Sequence, residues 1–289
     1  MKIQLALAAI LLPFLLAAQE QVSVRGRIVD EKGNPVEYVQ VGVPERQIGT
    51  ISTVDGQFEI SVPPDTLEFF HVSYQTARHP VTGPVDDLVI VLHENELPPA
   101  VSIGGNTKEK YLVRPGMNML GNAGSIGFCP SESEGEEKGM ELGSIATAKK
   151  PFLIRNIQLT IQSNHIPDCV AAISVYRIEG KPETFVNVLH KPIYFNIVES
   201  DSPRNYDLQP DESILLEPGK YFVGFQIVSY DEEAKRKYLE TPKSERPPLA
   251  MSLYTPIYLK SSYIRHAAMG KMEHLPVNIG VAVKGLEYQ

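Results

Sequence analysis

The chain has no tryptophan and only two cysteines, Cys129 and Cys169, in 289 residues. Without tryptophan the broadest platform for stacking on sugars is missing, so any such contact falls to tyrosine or phenylalanine. Two cysteines permit one disulfide in an oxidising compartment or two separate thiols, and the choice is one of tertiary geometry. Positive charge is also in deficit: 27 Lys+Arg stand against 35 Asp+Glu, a formal net charge of −8. That balance argues against a nucleic-acid partner, whose phosphates demand a basic face. After the N-terminal stretch no apolar run is long enough to span a bilayer, which takes about 20 residues.

The N-terminal stretch itself, MKIQLALAAILLPFLLAAQ, has one cation, Lys2, then a predominantly apolar segment from Ile3 to Ala18, then polar Gln19-Glu20-Gln21. A basic start, an apolar core and small residues at its end predict a secretory signal peptide over residues 1–18, cleaved near Ala17 or Ala18. No cysteine follows the apolar core to accept a lipid anchor. The expected location of the mature chain is the periplasm, the outer membrane periphery or the cell surface.

What is abundant is β-pattern. Val22 to Leu92 reads as about seven strands separated by turn signals every eight to twelve residues, the texture of a sandwich or barrel. Val22, Val24 and Ile28 share one face of "VSVRGRIV", and Val39, Val41 and Val43 one side of "VEYVQVGV". "QFEISV" alternates most cleanly, with Phe58, Ile60 and Val62 inward. "LEFFHVSY" and "DLVIVL" are denser, as in strands covered on both faces. Asp55-Gly56 predicts a tight hairpin turn, with positive φ that glycine adopts freely.

Three features occur in order: G-x-[VI]-x-[DE]-x-x-G-x-P-[VL] at Gly26 to Val36, G-T-x-[ST]-x-x-D-G-x-[FY] at Gly49 to Phe58, and [VS]-x-Y-x-T at Val72 to Thr76. A closing apolar strand ends at Leu92. This series resembles the carboxypeptidase-regulatory-like domain, a transthyretin-like β-sandwich abundant in envelope proteins of Bacteroidota. The resemblance implies a seven-strand sandwich over residues 19–94 with no catalytic residues, serving as a folded spacer or docking module. Gln75 departs from the glycine usual after the tyrosine.

Residues 95–137 are rich in Gly, Pro and Ser and carry Glu132, Glu134, Glu136 and Glu137, which predicts a linker. Residues 138–289 return to alternation: Ile157, Leu159 and Ile161 in "IQLTIQS", and Val277, Ile279, Val281 and Val283 in "VNIGVAVK". About eight such strands predict a jelly-roll-like second β-sandwich, and the segment resembles the uncharacterised β-domain that often follows this module in Bacteroidota. The charged insertion Asp231 to Pro248 reads as a solvated loop with a helical turn. The expected fold class is therefore all-β, a transthyretin-like sandwich followed by a jelly-roll-like one, with separate cores.

Motifs that could carry chemistry are sparse. "AGSIG" places Ser125 near the pattern of a nucleophile elbow, but that elbow needs a strand before it and a helix after it. His93 and Glu96 in "HENE" have zinc-ligand spacing yet lack a third ligand. "DSPRNYD", Asp201 to Asp207, lacks the ligand density of a calcium loop. No metal and no cofactor are expected. Tyr254, Tyr258 and Tyr263 could line a sugar-stacking face, although packing explains their alternation as well. Paired carboxylates for glycoside hydrolysis need only meet in space, so they leave no motif. The leading expectation is a non-catalytic, exported binding or attachment module for an envelope protein. A glycan-binding accessory comes next, with a cell-surface glycan as partner, then a hydrolase using carboxylates of the C-terminal domain. Binding is expected on the C-terminal sandwich, whose loops are longer.

Overall fold

The computed structural model describes residues 21–96, 105–114, 124–129 and 138–289; the signal-peptide reading lies outside them. The protein is nearly all β, and its first seven strands close over one core. A three-stranded sheet holds β1 (Val22–Asp30), β4 (Gln57–Val62) and β7 (Val85–Leu92), in the order β4-β1-β7 with β7 parallel to β1. Facing it, a four-stranded sheet contains β2 (Gln40–Val43), β3 (Ile48–Ile51), β5 (Asp65–Phe70) and β6 (Ala77–Val81), ordered β3-β2-β5-β6. The period of two carries the burial: in β4, Phe58, Ile60 and Val62 are buried while Gln57, Glu59 and Ser61 are exposed. Those three pack with Val24, Ile28, Val41, Leu67 and Phe69 between the sheets.

The turn before β4 is not the hairpin expected at Asp55-Gly56: it carries the chain from β3 of the four-stranded sheet to β4 of the three-stranded one, and the two strands do not pair. Val54 and Asp55 are its central residues; the Gly56 N–H donates to the Thr53 carbonyl at 3.0 Å, and the Thr53 N–H to that of Gln57 at 2.8 Å. Positive φ falls on Gly56 alone, at 71°, as when a type I turn is followed by a left-handed residue in a bulge. "DLVIVL" also differs from expectation. Val89 and Val91 of β7 are exposed, 46% and 45%, because none of the described residues forms a layer over the outer face of the three-stranded sheet.

The second sandwich draws on more of the chain than residues 138–289. Its five-stranded sheet contains β8 (Thr107–Val113), β11 (Phe152–Ile161), β16 (Arg204–Leu208), β17 (Ile214–Leu216) and β23 (Val281–Tyr288). Its seven-stranded sheet contains β10 (Glu141–Ala148), β13 (Val170–Glu179), β14 (Thr184–Asn187), β15 (Tyr194–Asn196), β18 (Gly219–Ser229), β20 (Ser262–Arg265) and β21 (Glu273–Leu275). Four shorter strands, β9 (Ser125–Phe128), β12 (Ser163–Asn164), β19 (Leu253–Tyr258) and β22 (Asn278–Ile279), make a small sheet at the side. Thus two stretches of the expected linker are strands: β8 pairs with β23, and β9 with β19. Their composition concealed this, since an edge strand such as β8 needs only one buried anchor, here Val113. The inward residues Ile157, Leu159, Ile161, Val281 and Val283 meet Ile173, Val175, Val223 and Phe225 across the core. The charged insertion contains α1 (Glu232–Glu240), N-capped by Asp231, whose carboxylate accepts from the Glu233 and Ala234 N–H groups. No helix among the described residues is long and apolar enough to cross a membrane.

The two sandwiches are not separate bodies. Strand β2 is buried on both faces: Val41 points into its own core, while Gln40 donates to the Gln226 side chain of β18 at 3.2 Å. Around that bond Ile51 packs with Val228 and Ala268, flanked by Tyr38, Val170, Ala172 and Tyr194. Gly49 lies so near the second sandwich that an added Cβ would sit 2.3 Å from the Ala268 carbonyl oxygen. The outer face of the seven-stranded sheet is therefore where the N-terminal sandwich docks.

Candidate functional site

An open groove of about 920 Å³ runs across the exposed face of the three-stranded sheet. Arg25 and Arg27 of β1, Gln57 and Glu59 of β4, and Asp87 and Val89 of β7 form its floor; Lys138, from the second sandwich, contributes to its wall. These side chains share the face because they occupy alternate positions on neighbouring strands. Register places Arg25 opposite Glu59, and their side chains meet at 2.6 Å. Glu59 holds the Arg25 guanidinium above its ordinary pKa through hydrogen bonding and charge. Both are well exposed, so the pair adds little stability and leaves its charges open to a partner.

A bulge in β7 shapes the groove. Val24 pairs with Val85 and Gly26 with Leu88, so β7 carries one extra residue, and Asp87 takes φ 61° within it. Gly26 is required there: a Cβ would lie 2.1 Å from the Leu88 carbonyl oxygen. The bulge twists the strand, and Asp87 lines the same groove as Arg25 and Arg27, as bulges re-aim side chains at sheet edges. The result is a mixed surface of paired and unpaired charge next to the exposed valines of an edge strand.

Behind the domain junction lies a second polar assembly. Glu141 of β10 is fully buried and faces Arg265 of β20, Nε to Oε2 3.5 Å. Burial pushes the Glu141 carboxyl above its ordinary pKa, while Arg265 and then the Ser174 and Tyr176 hydroxyls act the other way. Neither carboxylate oxygen has a hydrogen-bond partner within strict geometry, nor does Arg265 Nε. Arg265 also stands over the Tyr176 ring, 5.6 Å from its centroid. A small cavity of about 40 Å³ adjoins, lined by Gln40 and His71 from one sandwich and Ser174, Tyr176, Tyr194 and Gln226 from the other. That volume suffices for a water or two among polar partners.

The tyrosines singled out from sequence do not converge. Tyr254 and Tyr258 lie on β19 of the small sheet, Tyr254 lying across Gly127 of β9. Tyr263 belongs to β20 of another sheet, where its ring meets Phe185 at 5.0 Å and its hydroxyl bonds Glu183. All three are at least half covered by packing. Cys129 and Cys169 are both free. Cys129 is exposed, 3.6 Å from the Tyr238 hydroxyl, whereas Cys169 is enclosed in the core, where burial pushes its thiol up to about 12. His93 pairs with Glu31 at 2.8 Å rather than with Glu96. Asp201 bonds His165 and Asp207 bonds Gln158. Ser125 opens a strand, not the helix an elbow requires. Among the described residues no three His, Cys, Asp or Glu side chains gather as a metal site. The junction residues Gln40, His71, Glu141, Tyr194, Gln226 and Arg265 escaped the sequence reading. The available signal was polar or charged residues amid dense β-runs, as in "LEFFHVSY" and "VGFQIVS".

No curated protein matches the chain. One similar solved structure is a DUF3823 family protein from Parabacteroides merdae ATCC 43184. It is 8% identical over 90% of this chain and 98% of its own, with a TM-score of 0.20. Another comes from work described as the structural basis for the promiscuous specificity of carbohydrate-binding modules of the β-sandwich superfamily. It is 11% identical over 89% of this chain and 99% of its own, with a TM-score of 0.23. Residues 24–98, which span most of the N-terminal sandwich, match the family model for the CarboxypepD_reg-like domain.

Proposed function

We propose that this chain is a non-catalytic, exported protein of the cell envelope that binds a protein partner through the groove on its three-stranded sheet. Carrying the proposal is the uncovered face itself, where Arg25, Arg27, Glu59 and Asp87 surround exposed Val89 beside the edge strand β7. Charge of both signs around a modest apolar centre matches the make-up of non-obligate protein interfaces. The second sandwich then serves as the rigid base, since its seven-stranded sheet buries the opposite side of the module. This moves the expected binding surface from the C-terminal loops to the regulatory-like domain. Export rests on the basic-then-apolar leader, and the envelope on the family resemblance.

The test uses the full mature chain as bait in native envelope extract, compared with an Arg27→Glu/Val89→Asp double variant of unchanged melting temperature. Loss of the captured protein in the variant is expected. Capture that survives this variant and disappears in Tyr254→Ala/Tyr258→Ala would assign binding to the second sandwich instead. Oligosaccharide binding lost in the tyrosine variant would favour the glycan-accessory reading.

A further inference from the structure

The junction between the sandwiches contains one side chain that both sides must accept in a single protonation state. His71, just after β5, is 7% exposed. Its Nδ1 lies 3.2 Å from the Ser73 backbone N–H, which can only donate, so Nδ1 must accept. The ring proton is then on Nε2, which lies 3.1 Å from the Tyr194 hydroxyl on the other sandwich. An imidazolium would carry a second proton on Nδ1, aimed at the Ser73 donor, with no acceptor to receive it.

We propose that His71 is an acid-sensitive latch: protonation of its Nδ1 abolishes the Ser73 contact and leaves an unaccommodated positive charge buried at the junction, which favours release of the N-terminal sandwich from the seven-stranded sheet.

Among the described residues no group beside His71 compensates the positive charge. On the His71 side stand Tyr74, with ring centroids 5.3 Å apart, and Tyr38, which meets Tyr194 edge-on at 5.0 Å. Glu37 bears on Tyr38 and Tyr194 rather than on the imidazole. Across the junction the charged pair is Glu141–Arg265, beyond Gln226, and it is already self-neutralised. Burial accordingly lowers the His71 pKa from 6.5 to about 4. A base depressed in the closed form contributes stability that is fully present above its free value and lost as pH falls toward the depressed one. Between pH 7.5 and 5 the closing equilibrium should weaken by about thirtyfold on those two values. Glu141 works in the opposite sense, because its raised pKa makes acid favour the closed arrangement, so it cannot produce the effect.

Val228 reports the open fraction. It is buried against Ile51 at the junction, and Val→Cys nearly preserves its volume. In a Cys129→Ser/Val228→Cys chain, labelling by dithiodipyridine is measured from pH 7.5 to 5 and normalised to a free thiol. Cys169, enclosed in the second core, reports global opening. We expect Val228→Cys labelling to accelerate about thirtyfold in acid while Cys169 stays slow. In His71→Asn, whose amide oxygen can still accept from Ser73, labelling should become independent of pH at whatever absolute rate. No acceleration in the His71 chain, or acceleration that persists in His71→Asn, overturns the latch.

Discussion

Removing Arg265 while leaving Glu141 in place should produce a stability loss that depends on pH in a calculable way. The two groups are 3.5 Å apart and Glu141 is fully buried. At an effective dielectric near 20 a unit pair at that distance is worth about 5 kcal/mol, and orphaning one member of a buried pair costs about 3–5 kcal/mol. The carboxyl has an escape, which is to protonate. An unfolded glutamate titrates near ~4.3, so holding it neutral at pH 7 costs about 3.7 kcal/mol at ~1.36 kcal/mol per pH unit. The cheaper route sets the limit, and Arg265→Met should lose about 3–4 kcal/mol at pH 7. In the variant the folded-state pKa lies well above the unfolded one, so the folded state binds the extra proton. Its deficit must therefore shrink as pH falls, by up to about 1.4 kcal/mol per unit while Glu141 of the parent stays ionised, and by less once the parent's own raised carboxyl begins to take up a proton. The His71 contribution is common to both proteins and cancels in the difference. Urea denaturation followed by circular dichroism at pH 7, 6 and 5 measures the deficit. Adding Glu141→Gln to Arg265→Met removes the charge and should recover most of the loss at pH 7. A deficit that is flat with pH, or that Glu141→Gln fails to relieve, would refute this account of the pair.

Gly56→Val should destabilise the N-terminal sandwich by about 3 kcal/mol, since strained backbone and contact act together. Gly56 has φ 71°, and its Cβ would lie 2.4 Å from the Ile28 carbonyl oxygen; a denaturation midpoint equal to that of the parent contradicts the turn assignment. Gly49→Ala places a methyl against the Ala268 carbonyl, so it should speed labelling of Val228→Cys at neutral pH and leave Cys169 protected. Native thiol titration should find Cys129 reactive and Cys169 modified only on unfolding, given their exposed and buried positions; a mass two protons low, with no titratable thiol, would show that the two are bonded.

The all-β class and the first core were legible in the chain because strand burial has a period of two. Phe58, Ile60 and Val62 could go inward only together, and they do. The turn at Gly56 was legible too, since positive φ leaves its mark on residue type. Strands β8 and β9 were not, because an edge strand takes its backbone partners from β23 and β19, far away in sequence, and asks little of its own side chains. The junction was invisible for a related reason. Gln40 and Gln226 are separated by 186 residues, and His71 and Tyr194 by 123; each looks like an ordinary polar residue on an alternating strand. Local pattern says which face of a strand avoids water. It does not say what covers the other face, and here the docking of one sandwich on the other made that face buried, while leaving the Arg25–Glu59 face open.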